Sequence, residues 1–196
     1  LYRVGWDEIR KRRLARMIEL GIIDKSWELS SRDSTVAPWS DVAEKRKNDL
    51  ALRMAIYAAQ IDRVDQGIGR IVSALEKTGQ IDDTLILFLA DNGGCQEGGM
   101  FGRGNFDDVE NRNQEHPNRY GDAWANASNT PFRRFKRWTH EGGISTPFIM
   151  SWPARIQESG VVHEPIHIID IAATCMDAAS ATYPTQMNDH DTTPLE

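Results

Sequence analysis

Cysteine is scarce: Cys95 and Cys175 are the only two in 196 residues. Two are too few for a disulfide framework, and neither sits in a CxxC or zinc-type cluster. No apolar run is long enough to span a bilayer. Basic residues are not in excess, with 23 Lys and Arg against 29 Asp and Glu and a net charge of −6, which excludes wholesale nucleic-acid binding. There is no internal repeat. His116, His163, His167 and His190 have no ligand spacing, and Pro165 argues against a metal-binding helix carrying His163 and His167. The chain opens with Leu1 rather than Met, without a signal-peptide pattern. It reads as an internal piece of a longer protein, so missing targeting signals say nothing about location.

What is there is an ordinary soluble composition with length for one sizeable core. Residues 7–20 predict a short amphipathic helix, with Asp7 as its cap and Gly21 as its stop. Residues 25–40 are polar and irregular, with Pro38 marking a loop. A long helix is expected from Asp41 to Thr78, opened by a capping box of Asp41 and Glu44. In it Leu50, Met54, Tyr57, Ile61, Val64, Ile68, Ile71 and Leu75 form a stripe that predicts one buried face. Gly67 and Gly69 suggest a kink or close packing, and Gly79 ends the helix. The apolar run 84–90 predicts a strand covered on both faces of a parallel sheet, which makes the chain α/β. Residues 93–130 have little periodicity and read as a long loop, functional or disordered. A second strand is expected at 147–152 and a helix at 166–180, and the tail from Ala181 has little core potential.

The chemistry gathers at two places. The first strand runs into Asp91-Asn92-Gly93-Gly94, where open α/β sheets bind ligands. A carboxylate and an amide oxygen are hard donors, suited to calcium or magnesium rather than zinc, although the same four residues also make an ordinary turn. Downstream, Arg133, Arg134, Lys136 and Arg137 put four cations into five positions. Such a patch can hold an anion, and lysine as a point charge suits a tetrahedral oxyanion. A solvated basic surface is the competing reading, but Phe132, Phe135 and Trp138 interleave the charges and favour an ordered, partly buried loop.

These residues carry a resemblance. Leu89-Ala90-Asp91-Asn92-Gly93-Gly94, then Lys136 with His140-Glu141-Gly142-Gly143, then Pro147 with Trp152-Pro153 together resemble the type I sulfatases, the arylsulfatase family. The segment Tyr57–Gly67 and the opening Gly5-Trp6-Asp7 also resemble it, and the likeness runs from about residue 4 to about residue 180. It implies an α/β, alkaline-phosphatase-like mixed sheet flanked by helices, with residues 1–196 as the later part of one catalytic domain. It implies hydrolysis of a sulfate ester, an aryl sulfate or a sulfated glycan, by a formylglycine nucleophile with a calcium ion. Asp91 and Asn92 would be two calcium ligands and Lys136 the catalytic contact to the sulfate. His140 either faces substrate or is satisfied by loop backbone. Glu141-Gly142-Gly143 reads as a tight turn before the next strand and Cys95 as a small loop residue. A periplasmic or secreted home goes with the resemblance.

Departures from the family pattern matter as much. Two further calcium aspartates, the Cys/Ser-x-Pro-x-Arg motif that yields formylglycine, a lysine–histidine pair and another histidine belong upstream and are not among these residues. Ser151-Trp152-Pro153-Ala154-Arg155 fits that motif literally, but lies on the wrong side of Asp91 and lacks the following Thr-Gly. Residues 1–196 alone are therefore expected to be inactive. Two alternatives stand beside this reading. One is a phosphatase- or phosphodiesterase-type hydrolase of the same superfamily, against which Asn92 in place of histidine counts. The other is a non-catalytic sulfatase-like domain that binds anionic glycans. Asn126-Ala127-Ser128 is a glycosylation sequon by pattern alone.

Overall fold

The computed structural model describes residues 1–104 and 118–193. His116 and the middle of the 93–130 stretch lie outside the described residues. The chain divides into two compact units, Leu1–Ser159 and Gly160–Glu196. The first contains helix α1 (Trp6–Glu19), helix α2 (Glu44–Lys77), strand β1 (Ile86–Leu89), helix α3 (Gly121–Ser128), the short helical turn α4 (Glu141–Ile144) and strand β2 (Phe148–Ser151). The second contains helix α5 (Ile169–Ala178) and the small hairpin β3 (Gln186–Met187) with β4 (His190–Asp191). The α/β class expected from the sequence is the one observed. No helix among the described residues is long and apolar enough to cross a membrane.

Helix starts differ from expectation because side chains found better partners. Gly5, not Asp7, is the N-cap of α1. The Asp7 carboxylate instead accepts from Arg32 Nη1 and from the Trp39 backbone N–H, both at 2.8 Å. Asp41 lies in a 3-10 turn before α2, where its carboxylate accepts from Ser40 Oγ. The helix starts at Glu44 behind Ala43, and no capping box forms. The stops are as expected. Gly21 N–H bonds to Ile18 O and Ile22 N–H to Met17 O, and α2 ends likewise with Gly79 N–H on Glu76 O and Gln80 N–H on Leu75 O. Both pairs are the double C-terminal closure that a glycine after the helix permits.

The core is aromatic and sits among α1, α3 and the first half of α2. Trp6 and Trp124 are fully buried and meet edge-to-face at 5.6 Å. Trp39 packs edge-on against Trp6 at 4.7 Å. Buried indole N–H groups need acceptors: Trp6 Nε1 donates to Ala37 O at 3.0 Å and Trp124 Nε1 to Leu50 O at 2.8 Å. The latter bond ties α3 to α2. Helix α3 falls inside the stretch read as a loop. It buries Ala123, Trp124, Ala125, Asn126 and Ala127 in succession, and a helix buried all round carries no amphipathic period.

The α2 stripe is buried only in its first half. Leu50 and Met54 are in the core, and Tyr57 packs against it. Ile61, Val64 and Ile71 are exposed, since no described element covers that face. A Cβ at Gly69 would meet nothing within 4 Å, so close packing does not explain that glycine. Strand β1 pairs antiparallel with β2, not in a parallel sheet, with Ile86 opposite Ser151 through Leu89 opposite Phe148. Phe88 is 43% exposed, so β1 is not covered on both faces.

Candidate active site

The turn after β1 and the lysine loop are built into one unit. Lys136 N–H donates to Gly94 O at 3.2 Å, and Gly93 N–H donates to Gly143 O at 3.0 Å. Asn129 joins the two from the side: its Oδ1 accepts from Gly94 N–H at 2.9 Å and its Nδ2 donates to Arg134 O at 3.2 Å. The glycines permit this closeness. A Cβ on Gly93 would run into the Gly142 carbonyl, and one on Gly142 into the carbonyls of Arg133 and Arg134. Glu141-Gly142-Gly143 is thus the tight turn expected ahead of β2, and its glycines let two backbones touch.

Asp91 is exposed and Asn92 half-buried at the end of β1. The Lys136 ammonium is on a half-buried residue of the adjoining loop. Among the described residues, none of these three side chains has a hydrogen bond or ion pair, which leaves their charges and oxygens free for a ligand. The donor chemistry of Asp91 and Asn92 fits a hard cation. No cluster of three or more His, Cys, Asp or Glu able to hold a metal occurs among the described residues. His140 is the exposed N-cap of α4, and its side chain makes no capping bond. Its backbone carbonyl accepts from Gly143 and Ile144 N–H.

The basic run is not four equivalent cations. Arg133 and Arg137 are exposed, but Arg134 is paired with Asp33, Nη1 to Oδ2 at 3.1 Å. Burial alone would raise the Asp33 carboxyl. Hydrogen bonds from Thr35 and the Arg134 and Arg133 cations outweigh it and hold the group below the usual carboxylate range. Asp122 at the start of α3 is pushed the other way, upward, by burial and by the Asp33 charge, with Arg137 opposing.

Other motifs find plain structural roles. Asn126 of the sequon is 1% exposed, and its Oδ1 accepts from Asp33 N–H at 3.4 Å. It is a core residue and no glycan acceptor in the folded chain. Ser151 of the Ser-x-Pro-x-Arg match lies within β2 opposite Ile86, and Arg155 is an exposed residue leaning on the Trp152 ring at 5.7 Å. Sequence reading missed Asp33 and Asn129. Polar residues in irregular stretches carry no periodic signal, and their partners are 101 and 35 residues away.

A family model described as Sulfatase matches residues 29–181. The chain belongs to the sulfatase family. It is similar to an uncharacterized sulfatase of Schizosaccharomyces pombe, 29% identical over 93% of this chain and 35% of the relative. It is also similar to the arylsulfatase of Klebsiella aerogenes, 28% identical over 91% of this chain and 40% of that enzyme. A solved structure, Ps i-CgsB in complex with k-i-k-neocarrahexaose, matches with a TM-score of 0.48 and 22% identity over 91% of this chain and 35% of its own. This sulfatase chain therefore spans well under half the length of these relatives. Both curated relatives bear the names of sulfatases, and the described elements of this chain are a mixture of helices and small sheets.

Proposed function

We propose that this chain forms the cation- and anion-holding part of a sulfatase active site, in which Asp91 and Asn92 bind calcium and Lys136 binds the sulfate group. The observation that carries the reading is the direct bond from Lys136 N–H to Gly94 O, which seats the lysine loop against the turn that bears Asp91 and Asn92. Calcium, when bound, supplies fixed positive charge, and a formylglycine outside residues 1–196 supplies the attacking oxygen. The residues of this chain do the holding. Asp91 contributes a charged oxygen and Asn92 a neutral one, two of the six to eight oxygens that calcium takes. The Lys136 ammonium, unpaired within the described residues, neutralises charge on the sulfate and on the leaving oxygen as it grows. His140, exposed four residues on, contacts the substrate. The substrate is a sulfate ester, aryl or glycan, in a periplasmic or secreted setting.

The test uses inorganic sulfate and calcium as probes. Sulfate affinity should rise when calcium is present, and Asp91→Ala should abolish that dependence while leaving the fold intact by circular dichroism. Sulfate binding that ignores calcium in both proteins contradicts the assignment of Asp91. With an aryl sulfate, residues 1–196 should release no sulfate above a Lys136→Ala control, because the nucleophile is not among them.

A further inference from the structure

Three features lie outside the residues already assigned: the buried Arg53 guanidinium beside Arg103 and Arg119, the uncovered face of α2, and the Asp33–Arg134 pair. Arg53 donates to the carbonyls of Arg103, Gly104 and Arg119, which ties the Arg103–Arg119 bridge to α2. Nothing in the structure shows what covers α2. The ion pair leads further.

Asp33 is bolted to the core. Its side chain is 1% exposed, its Oδ1 accepts from Thr35 N–H at 2.9 Å and Thr35 Oγ1 at 2.7 Å, and its own N–H donates to buried Asn126 of α3. Arg134 reaches Asp33 with its guanidinium and lays the same group over the Trp138 ring at 4.3 Å. Residues 134 and 138 bracket Lys136, so one guanidinium clips both flanks of the lysine to a fixed carboxylate. The backbone needs the clip. Arg134 has φ 71° and Arg137 has φ 88°, left-handed values that a bulky L-residue adopts only when its surroundings impose them. The Arg134 Nε is buried without a hydrogen-bond partner, so the guanidinium is held there against an unmet polar group.

We propose that Asp33 is a positioning residue for Lys136, acting through Arg134 and Trp138 to fix the loop that presents the ammonium. The functional meaning rests on the sulfate reading above, whereas the mechanical claim does not. Asp33 touches no substrate in this scheme, and it sets where Lys136 stands.

The test is amide hydrogen exchange on the isotope-labelled chain, read at Lys136 and Trp138, with inorganic sulfate titrated separately. Asp33→Asn keeps the oxygen that serves Thr35 and loses the charge that holds Arg134. It should speed exchange at Lys136 about tenfold, with the amides of Trp124 and Ala125 in α3 unchanged as the control for folding. In an Arg134→Gly background, where glycine takes the left-handed backbone unaided, Asp33→Asn should add nothing further. Unchanged Lys136 exchange in Asp33→Asn, or an equal effect with and without Arg134, overturns the proposal. Sulfate affinity should fall by a similar factor in Asp33→Asn. A wild-type chain that binds no sulfate while Asp33→Asn still frees the Lys136 amide would sink the sulfate reading and leave the positioning role standing.

Discussion

Asn129 carries more of the site than its place in an irregular stretch suggests. Its amide uses both ends, accepting from Gly94 and donating to Arg134. Asn129→Ala removes two hydrogen bonds from half-buried backbone groups and should cost about 1–3 kcal/mol in a denaturant titration. Asn129→Asp keeps the acceptor for Gly94 and should cost less. Asp122 gives a prediction of opposite sign. Its folded-state carboxyl is raised by burial and by Asp33, so its contribution is complete below the unfolded value near pH 4 and is lost as pH rises through the folded value. Asp122→Asn should therefore raise the urea midpoint at pH 7, and the gain should vanish toward acid pH. Asp91, Asn92 and Lys136 stand out in the sequence as candidates because hard oxygen donors after an apolar run, and a lysine in an aromatic-laced basic loop, are local patterns. Asp33 and Asn129 do not, since their meaning lies in contacts across long stretches of chain.

Helix α2 shows where local pattern and tertiary structure part. Its stripe is regular from Leu50 to Leu75, yet Leu50 is fully buried while Ile71 is 61% exposed. Leu50→Ala should cost about 2–5 kcal/mol, and Ile71→Ala should stay within about 0.5 kcal/mol, both measured by urea unfolding. The period reports a face that can be buried. It cannot say whether the covering partner is in the same stretch of chain. Helix α3 is the reverse case. Its run of small residues around Trp124 has no period because every side is covered, so the pattern looks like loop. The stops at Gly21 and Gly79 were legible, as each depends on a few adjacent residues. The starts were not, because Asp7 and Asp41 had better partners than the helix ends offered.

Across the whole molecule, the family match to residues 29–181 takes in both the turn after β1 and the lysine loop, and backbone hydrogen bonds join the two. Ile71 of α2 and Phe88 of β1 are exposed, and the chain spans 35–40% of the two curated relatives named above. Alkaline stability has its own signature. Burial lifts the Tyr120 phenol far above its usual value, and the ring stacks on Tyr57 at 4.8 Å. Its contribution is complete below the unfolded value near pH 10 and declines above it, so Tyr120→Phe should flatten the fall in stability between pH 9 and about 11. The central claim is that the Asp91-Asn92 turn and Lys136 form a single site for a sulfate group. The most direct measurement follows backbone amide shifts as inorganic sulfate is titrated, with calcium present, into the wild-type chain and Lys136→Ala. The account predicts saturable shifts centred on Gly93, Gly94, Lys136 and Gly143, lost in Lys136→Ala with the rest of the spectrum preserved. Shifts scattered over the basic surface, or identical in both proteins, would contradict it.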